Sequence, residues 1–210
     1  MPGPAVRAPP APLVPGWYGK IPALGDFASR RLPPDFIAAW DDWLQRLVVA
    51  GRAQLGEGWQ AACLRSPGWR FVLLPGACGA TCWAGLLMPS RDKVGRCFPL
   101  TIALGLDPQR DTFGDVFAAG DWFDALEAIA LAARDHATPL DAFDAALLQT
   151  PWRGMRSQAL DEAASHVLAA GPAGRTFWWQ KGDPHVPAPL LACCGMPGGS
   201  QAALLLAGAR

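Results

Sequence analysis

Trp69-Arg-Phe-Val-Leu-Leu74, Thr81-Cys-Trp-Ala-Gly-Leu-Leu-Met88 and Phe98-Pro-Leu-Thr-Ile-Ala-Leu-Gly-Leu106 are the stretches that decide the fold. Each is apolar almost without interruption, as expected of strands covered on both faces. Pro75-Gly76 separates the first from the second. The charged loop 89–97 joins the second to the third, which predicts a hairpin with a longer connection. A chain that buries both faces of a sheet needs apolar helices to cover them, and the flanking sequence supplies these.

Upstream, Leu13 to Ile21 reads as a first strand closed by Pro22, and Gly25-Asp26-Phe27 turns the chain. Pro34 suits the first turn of a helix, where its missing N–H leaves nothing unpaired. Phe36, Trp40, Trp43, Leu44, Leu47 and Val48 then recur at three- to four-residue spacing, one broad apolar stripe. Asp42, Gln45 and Arg46 project from the other side. A shorter helix is expected from Trp59 to Leu64.

Downstream, Trp122, Leu126, Ile129, Ala130 and Ala133 predict a second amphipathic helix, with Asp121 as a candidate cap. Further helices are expected over 141–148 and 157–170, and late strands at Thr176–Gln180 and Leu190–Cys194. The resulting expectation is an α/β fold, a mixed sheet sandwiched by helices in three layers. Residues 16–210 form one compact domain, strand-rich over 16–106 and helix-rich over 107–210. The Pro/Ala-rich residues 1–15 are expected to form a mobile arm.

Composition agrees. Apolar residues make up 51% of the 210, with ten Trp and nine Phe, ample for a single core. Net charge is zero but unevenly spread: residues 1–106 carry +5 and residues 107–210 carry −5. Nine acids between Asp107 and Asp144 meet only Arg110 and Arg134. These are either solvated helix faces or an acidic docking surface built on Asp115, Asp121, Asp124 and Glu127. The scattered positive charges give no nucleic-acid footprint. No apolar run approaches the ~20 residues of a membrane span, nor does the first segment have a signal-peptide core. A cytoplasmic protein is expected.

Catalytic patterns are weak. The six cysteines contain no Cys-x-x-Cys and no Cys/His ligand box, so reduced, buried thiols are expected and no metal. No cofactor is implied either. Gly19-Lys20 fails as a phosphate loop, because Val14 and Ile21 stand where glycine and Ser/Thr belong. There is no Gly-x-Ser-x-Gly elbow, Ser90-x-x-Lys93 lies in a loop, and His136, His166 and His185 are scattered. What survives is a polar cluster, Lys20, Asp26, Asp92 and Arg96, with Gly95 beside it. If partly buried, such charges must pair. A structural clamp is the leading role, with a recognition surface and a small-ligand or catalytic site as alternatives.

The same stretches resemble the signature of the TagF/ImpM family, accessory proteins of bacterial type VI secretion systems. The similarity lies in Tyr18-Gly-Lys-Ile-Pro22, Gly25-Asp-Phe27, Arg30 or Arg31 with Leu32-Pro33, and Trp40-Asp-Asp-Trp-Leu-Gln45. It continues through Ser66-Pro-Gly-Trp-Arg-Phe71, Pro75-Gly76, Met88-Pro-Ser90, Asp92, Val94-Gly-Arg96 and Phe98-Pro-Leu-Thr101, then more thinly through Trp178-Trp179 and Gly195-Met-Pro197. The resemblance implies an α/β sandwich and a non-enzymatic regulator. It further implies a post-translational repressor, acting in the cytoplasm by binding a scaffold protein with a forkhead-associated domain. Some relatives carry a fused phosphatase domain, but this chain has no acidic metal-binding block for that activity.

Overall fold

The computed structural model describes residues 13–107, 111, 113–134, 138–154, 173–182, 190–199, 201 and 204–205. The expected helix over 157–170, the three histidines and residues 1–12 of the expected arm lie outside the described residues.

Among the described residues seven strands make one sheet: β1 (Gly16–Gly19), β2 (Ala28–Arg30), β3 (Trp69–Leu73), β4 (Cys82–Met88), β5 (Leu100–Leu106), β6 (Arg175–Trp179) and β7 (Leu190–Cys194). Their order is β2-β1-β5-β4-β3-β6-β7. Every pairing is antiparallel, which corrects the expected mixed sheet. The expectation failed because continuous apolar strands report burial of both faces, not strand direction. The β4–β5 hairpin is present, with Met88 opposite Leu100. The first strand is shorter than expected, although Leu13 still bridges to Trp152.

Helices α1 (Pro34–Leu55) and α2 (Trp59–Arg65) are joined by one 3-10 turn. Helices α3 (Phe113–Ala118), α4 (Gly120–Ala132) and α5 (Leu140–Leu148) follow β5. Pro34 occupies the first turn of α1, and the expected stripe from Phe36 to Val48 is the buried face. Asp121 sits within the first turn of α4 and is not its cap, since Ala119 takes that position. The short α3 carries too few periodic positions to be read in advance.

Alternation along the strands divides the core. Trp69, Phe71 and Leu73 of β3 join Trp83, Leu87 and Trp178 against the stripe of α1. On neighbouring positions, Leu86, Met88, Leu100 and Ile102 pack with Leu126 of α4 and Phe143 and Leu147 of α5. Val72, Ala84 and Leu104 meet Val116 and Phe123. The first cluster is aromatic-rich: Trp40 lies 5.0 Å from Phe71, and Trp178 lies 5.2 Å from Phe71 and 5.3 Å from Trp43. Each such pair adds about 0.5–1.5 kcal/mol beyond area burial. Two of the cluster's buried indoles find acceptors, Trp40 Nε1 donating to Thr101 Oγ1 at 2.7 Å and Trp43 Nε1 to the Pro197 carbonyl at 2.9 Å, whereas the indole N–H groups of Trp69 and Trp83 have no partner among the described residues.

The cysteines depart from expectation. Cys63 of α2 and Cys97, just before β5, form a disulfide across 34 residues of sequence. Cys194 is exposed, whereas Cys78 and Cys193 are buried as expected. Burial pushes the Cys78 thiol up to about 11, and burial with the nearby Asp111 charge pushes Cys82 up to about 12.

Candidate functional site

The polar cluster is assembled by two loops at one end of the sheet. The first, residues 20–27, leaves β1; the second, residues 89–99, joins β4 to β5. Gly19 is required where they begin, because its φ of 137° lies where side chains rarely go and a Cβ there would collide with the Pro99 carbonyl oxygen.

Asp92 is the centre. Its side chain is fully buried, and its Oδ2 accepts the Lys20 ammonium at 3.0 Å and Arg96 Nε at 2.6 Å. Its Oδ1 accepts the backbone N–H groups of Val94 at 3.1 Å and Arg96 at 2.9 Å. The turn closes on itself through Gly95 N to the Asp92 carbonyl at 3.0 Å and Asp92 N to the Arg96 carbonyl at 3.1 Å. Gly95 has a φ of 89°, the left-handed geometry this turn needs. The loops are cross-tied by Lys93 N to the Leu24 carbonyl at 3.2 Å and by Arg96 Nη2 to the Gly25 carbonyl at 3.5 Å.

Burial pushes the Asp92 carboxyl upward. Hydrogen bonds from Lys20 and from the Arg96 backbone and side chain outweigh it and hold the group well below the usual carboxylate range. Lys20 is also buried, its ammonium 4.7 Å from the centre of the Phe27 ring. Asp26 is not brought into the cluster. It is exposed and accepts the adjacent Phe27 N–H at 2.8 Å, shaping its own turn.

The acidic residues of the second half are dispersed. Asp115 is buried, Asp121 is exposed in the first turn of α4, and Asp124 and Glu127 converge on buried Arg70 of β3. Lys181 adds a second partner to Asp124 at 3.0 Å. Hydrogen bonding to Lys181, ahead of Arg70, therefore holds Asp124 below its ordinary value against the opposing effect of burial. Three of the four acids proposed for docking are thus turned inward or paired.

Sequence reasoning missed a second buried carboxylate, Asp144 of α5. It accepts Arg31 at 2.6 and 3.0 Å, Arg30 at 2.8 Å and the indole N–H of Trp17 at 2.9 Å. The Arg31 bonds, with those from Arg30 and Trp17, depress its carboxyl well below the usual range despite burial. Arg31 itself holds a φ of 64°, unusual for a residue with a side chain. Its fork onto Asp144 and its Nε bond to the Pro15 carbonyl at 3.0 Å fix that conformation. The resemblance had marked Arg30 or Arg31; no local signal marked Asp144.

Beside the polar cluster lies a depression of about 260 Å³ lined by Arg52, Trp59, Gln60 and Val94 to Cys97. Lys20 and Asp92 do not line it. No group of His, Cys, Asp and Glu among the described residues could hold a metal ion. No helix among them is long and apolar enough to cross a membrane.

The TagF N-terminal domain, described as type VI secretion system-associated, matches residues 16–150. That span begins at β1 and ends just after α5, so it holds both carboxylate centres. No curated protein matches the chain. Among solved structures, the crystal structure of PA0076 from Pseudomonas aeruginosa PAO1 is similar at a TM-score of 0.79 and 33% identity, over 93% of this chain and 95% of that one. The chain belongs to the TagF family of type VI secretion-associated proteins.

Proposed function

We propose that this chain is a non-enzymatic, cytoplasmic repressor of a type VI secretion apparatus, acting by stoichiometric binding of a scaffold component with a forkhead-associated domain. Family membership supports the link to the apparatus. The observation that carries a binding role is the way the polar cluster is satisfied. Asp92 takes four donors from Lys20, Val94 and Arg96, and no polar group of Asp92 or Lys20 lines the neighbouring depression. A catalytic carboxylate needs reach to a substrate in a concave pocket; this one supports two loops from beneath. Occlusion of a partner then depends on surface complementarity, with charge guiding encounter and apolar anchors giving affinity.

The test is a secretion assay paired with capture. Overproduction of the chain should suppress release of the apparatus's own secreted substrates, and tagged chain should recover the forkhead-associated component from the same cells. Suppression without recovery of that component sinks the partner assignment. Absence of suppression at any dose sinks the repressor reading.

A further inference from the structure

We propose that the two joined loops form a docking surface for an acidic, extended segment of a protein partner, with Val94 and Phe27 as apolar anchors and Arg52 and Lys93 as the charges that read it. The proposal rests on the reading that the chain acts by binding a protein, and deepens it by naming the face and the chemistry it takes.

Val94 is 72% exposed and Phe27 is 43% exposed, both large apolar side chains in water. They stand on loops that are cross-tied, and each is held from below. Phe27 stacks on Tyr18 and meets Phe98 edge-on at 4.6 Å, while Val94 rides on the turn that Asp92 closes. Apolar groups presented on a rigid base lose little conformational entropy on binding. The depression next to Val94 gives such a partner a concave seat. Its rim is also pinned, because Gln60 donates to the Gly95 carbonyl at 2.8 Å and the Cys63–Cys97 disulfide ties α2 to the loop.

The charge of this end selects the partner. Arg52 and Lys93 are exposed and have no acidic partner among the described residues, while Arg96 is already held by Asp92 and Gly25. Half-buried Arg91 lies close enough to Arg134 that, after burial, its like charge is what pulls the Arg134 guanidinium below its ordinary value. The acids nearby are exposed Asp26 and Glu57 and half-buried Asp41, which Tyr18 and Gln45 already engage; the cations Arg52, Lys93, Arg91 and Arg96 outnumber them, and Asp92 is already neutralised. An uncompensated basic rim around apolar anchors favours carboxylate-rich sequence and rejects basic sequence.

A photo-crosslinking residue placed at Val94 of the full chain, in cells producing the secretion apparatus, tests this directly. A matching probe at exposed Leu190, on the far edge strand β7, is the control. The expected product is an Asp/Glu-rich segment of an apparatus component, captured at position 94 and not at 190. Combined Arg52→Glu and Lys93→Glu should cut that capture at least tenfold with the melting temperature unchanged. Capture of the component only at 190, capture insensitive to the charge reversals, or crosslinking to lipid or nucleic acid overturns this surface while leaving the binding role standing. Failure to recover any apparatus component by crosslinking or by tagged capture removes the binding role itself, and this proposal with it.

Discussion

Asp92 and Asp144 are two solutions to one problem, a carboxylate buried in a sheet protein and kept ionised by cations. They differ in where the partners come from. Asp92 draws three of its four hydrogen bonds from residues within four positions, and only Lys20 comes from afar, 72 residues away. Asp144 draws everything from 113 to 127 residues away, joining the β1–β2 region to α5. The first stiffens a loop; the second closes the fold over the sheet edge. The difference teaches that a buried charge is readable in sequence when its turn supplies its own donors.

Four perturbations would break or sharpen this contrast. The largest effect is expected from Asp92→Ala, which strands the Lys20 ammonium in a site with almost no water. Loss of one partner of a buried pair costs about 3–5 kcal/mol, measured by urea unfolding; a loss below about 1 kcal/mol, the scale of an exposed pair, would end the clamp reading. Reduction of Cys63–Cys97 should follow at about 2–4 kcal/mol, because it reopens a 34-residue separation in the unfolded chain. If reduction left stability unchanged, the loop would be held by Asp92 alone. Asp144→Ala should cost about 2–3 kcal/mol, less than a fully buried pair. Arg30 and Arg31 are partly exposed and recover water, while the buried Trp17 N–H is left without an acceptor.

Acid pH gives the smallest and most graded effect. Both carboxyls titrate below their unfolded value of about 3.9, so folding binds fewer protons than unfolding. Their contribution is therefore complete above that value and is lost as pH falls further, through the lower folded-state values. Urea unfolding between pH 5 and 2 should show this slope in the wild type and a shallower one in Asp92→Asn or Asp144→Asn. An unchanged slope in both variants would mean that neither carboxylate is held as described.

Much of the frame was legible in the residues. The α1 stripe, the strands from Trp69 to Leu106 and the charged hairpin loop followed from periodicity and apolar runs. Strand direction did not, since helices on two faces give an antiparallel sheet the same composition as a parallel one. The three-residue β2 is too short to alternate, and Cys63 and Cys97 meet only because α2 packs beside the loop. Within the site, Lys20, Asp92, Gly95 and Arg96 could be read together, while Asp26 was grouped with them by proximity in sequence and turned out to face water. Asp124 and Glu127 read as surface acids because their partner Arg70 lies on a strand more than fifty residues away.

The central claim is that the buried Lys20–Asp92 pair holds the loops and does not itself touch a partner. Lys20→Met tests it most directly, with unfolding free energy and affinity for the captured apparatus component measured on the same preparation. The account expects a loss of about 3 kcal/mol in stability, with the affinity of the folded protein within twofold of wild type. Unchanged stability with affinity reduced tenfold or more would contradict it.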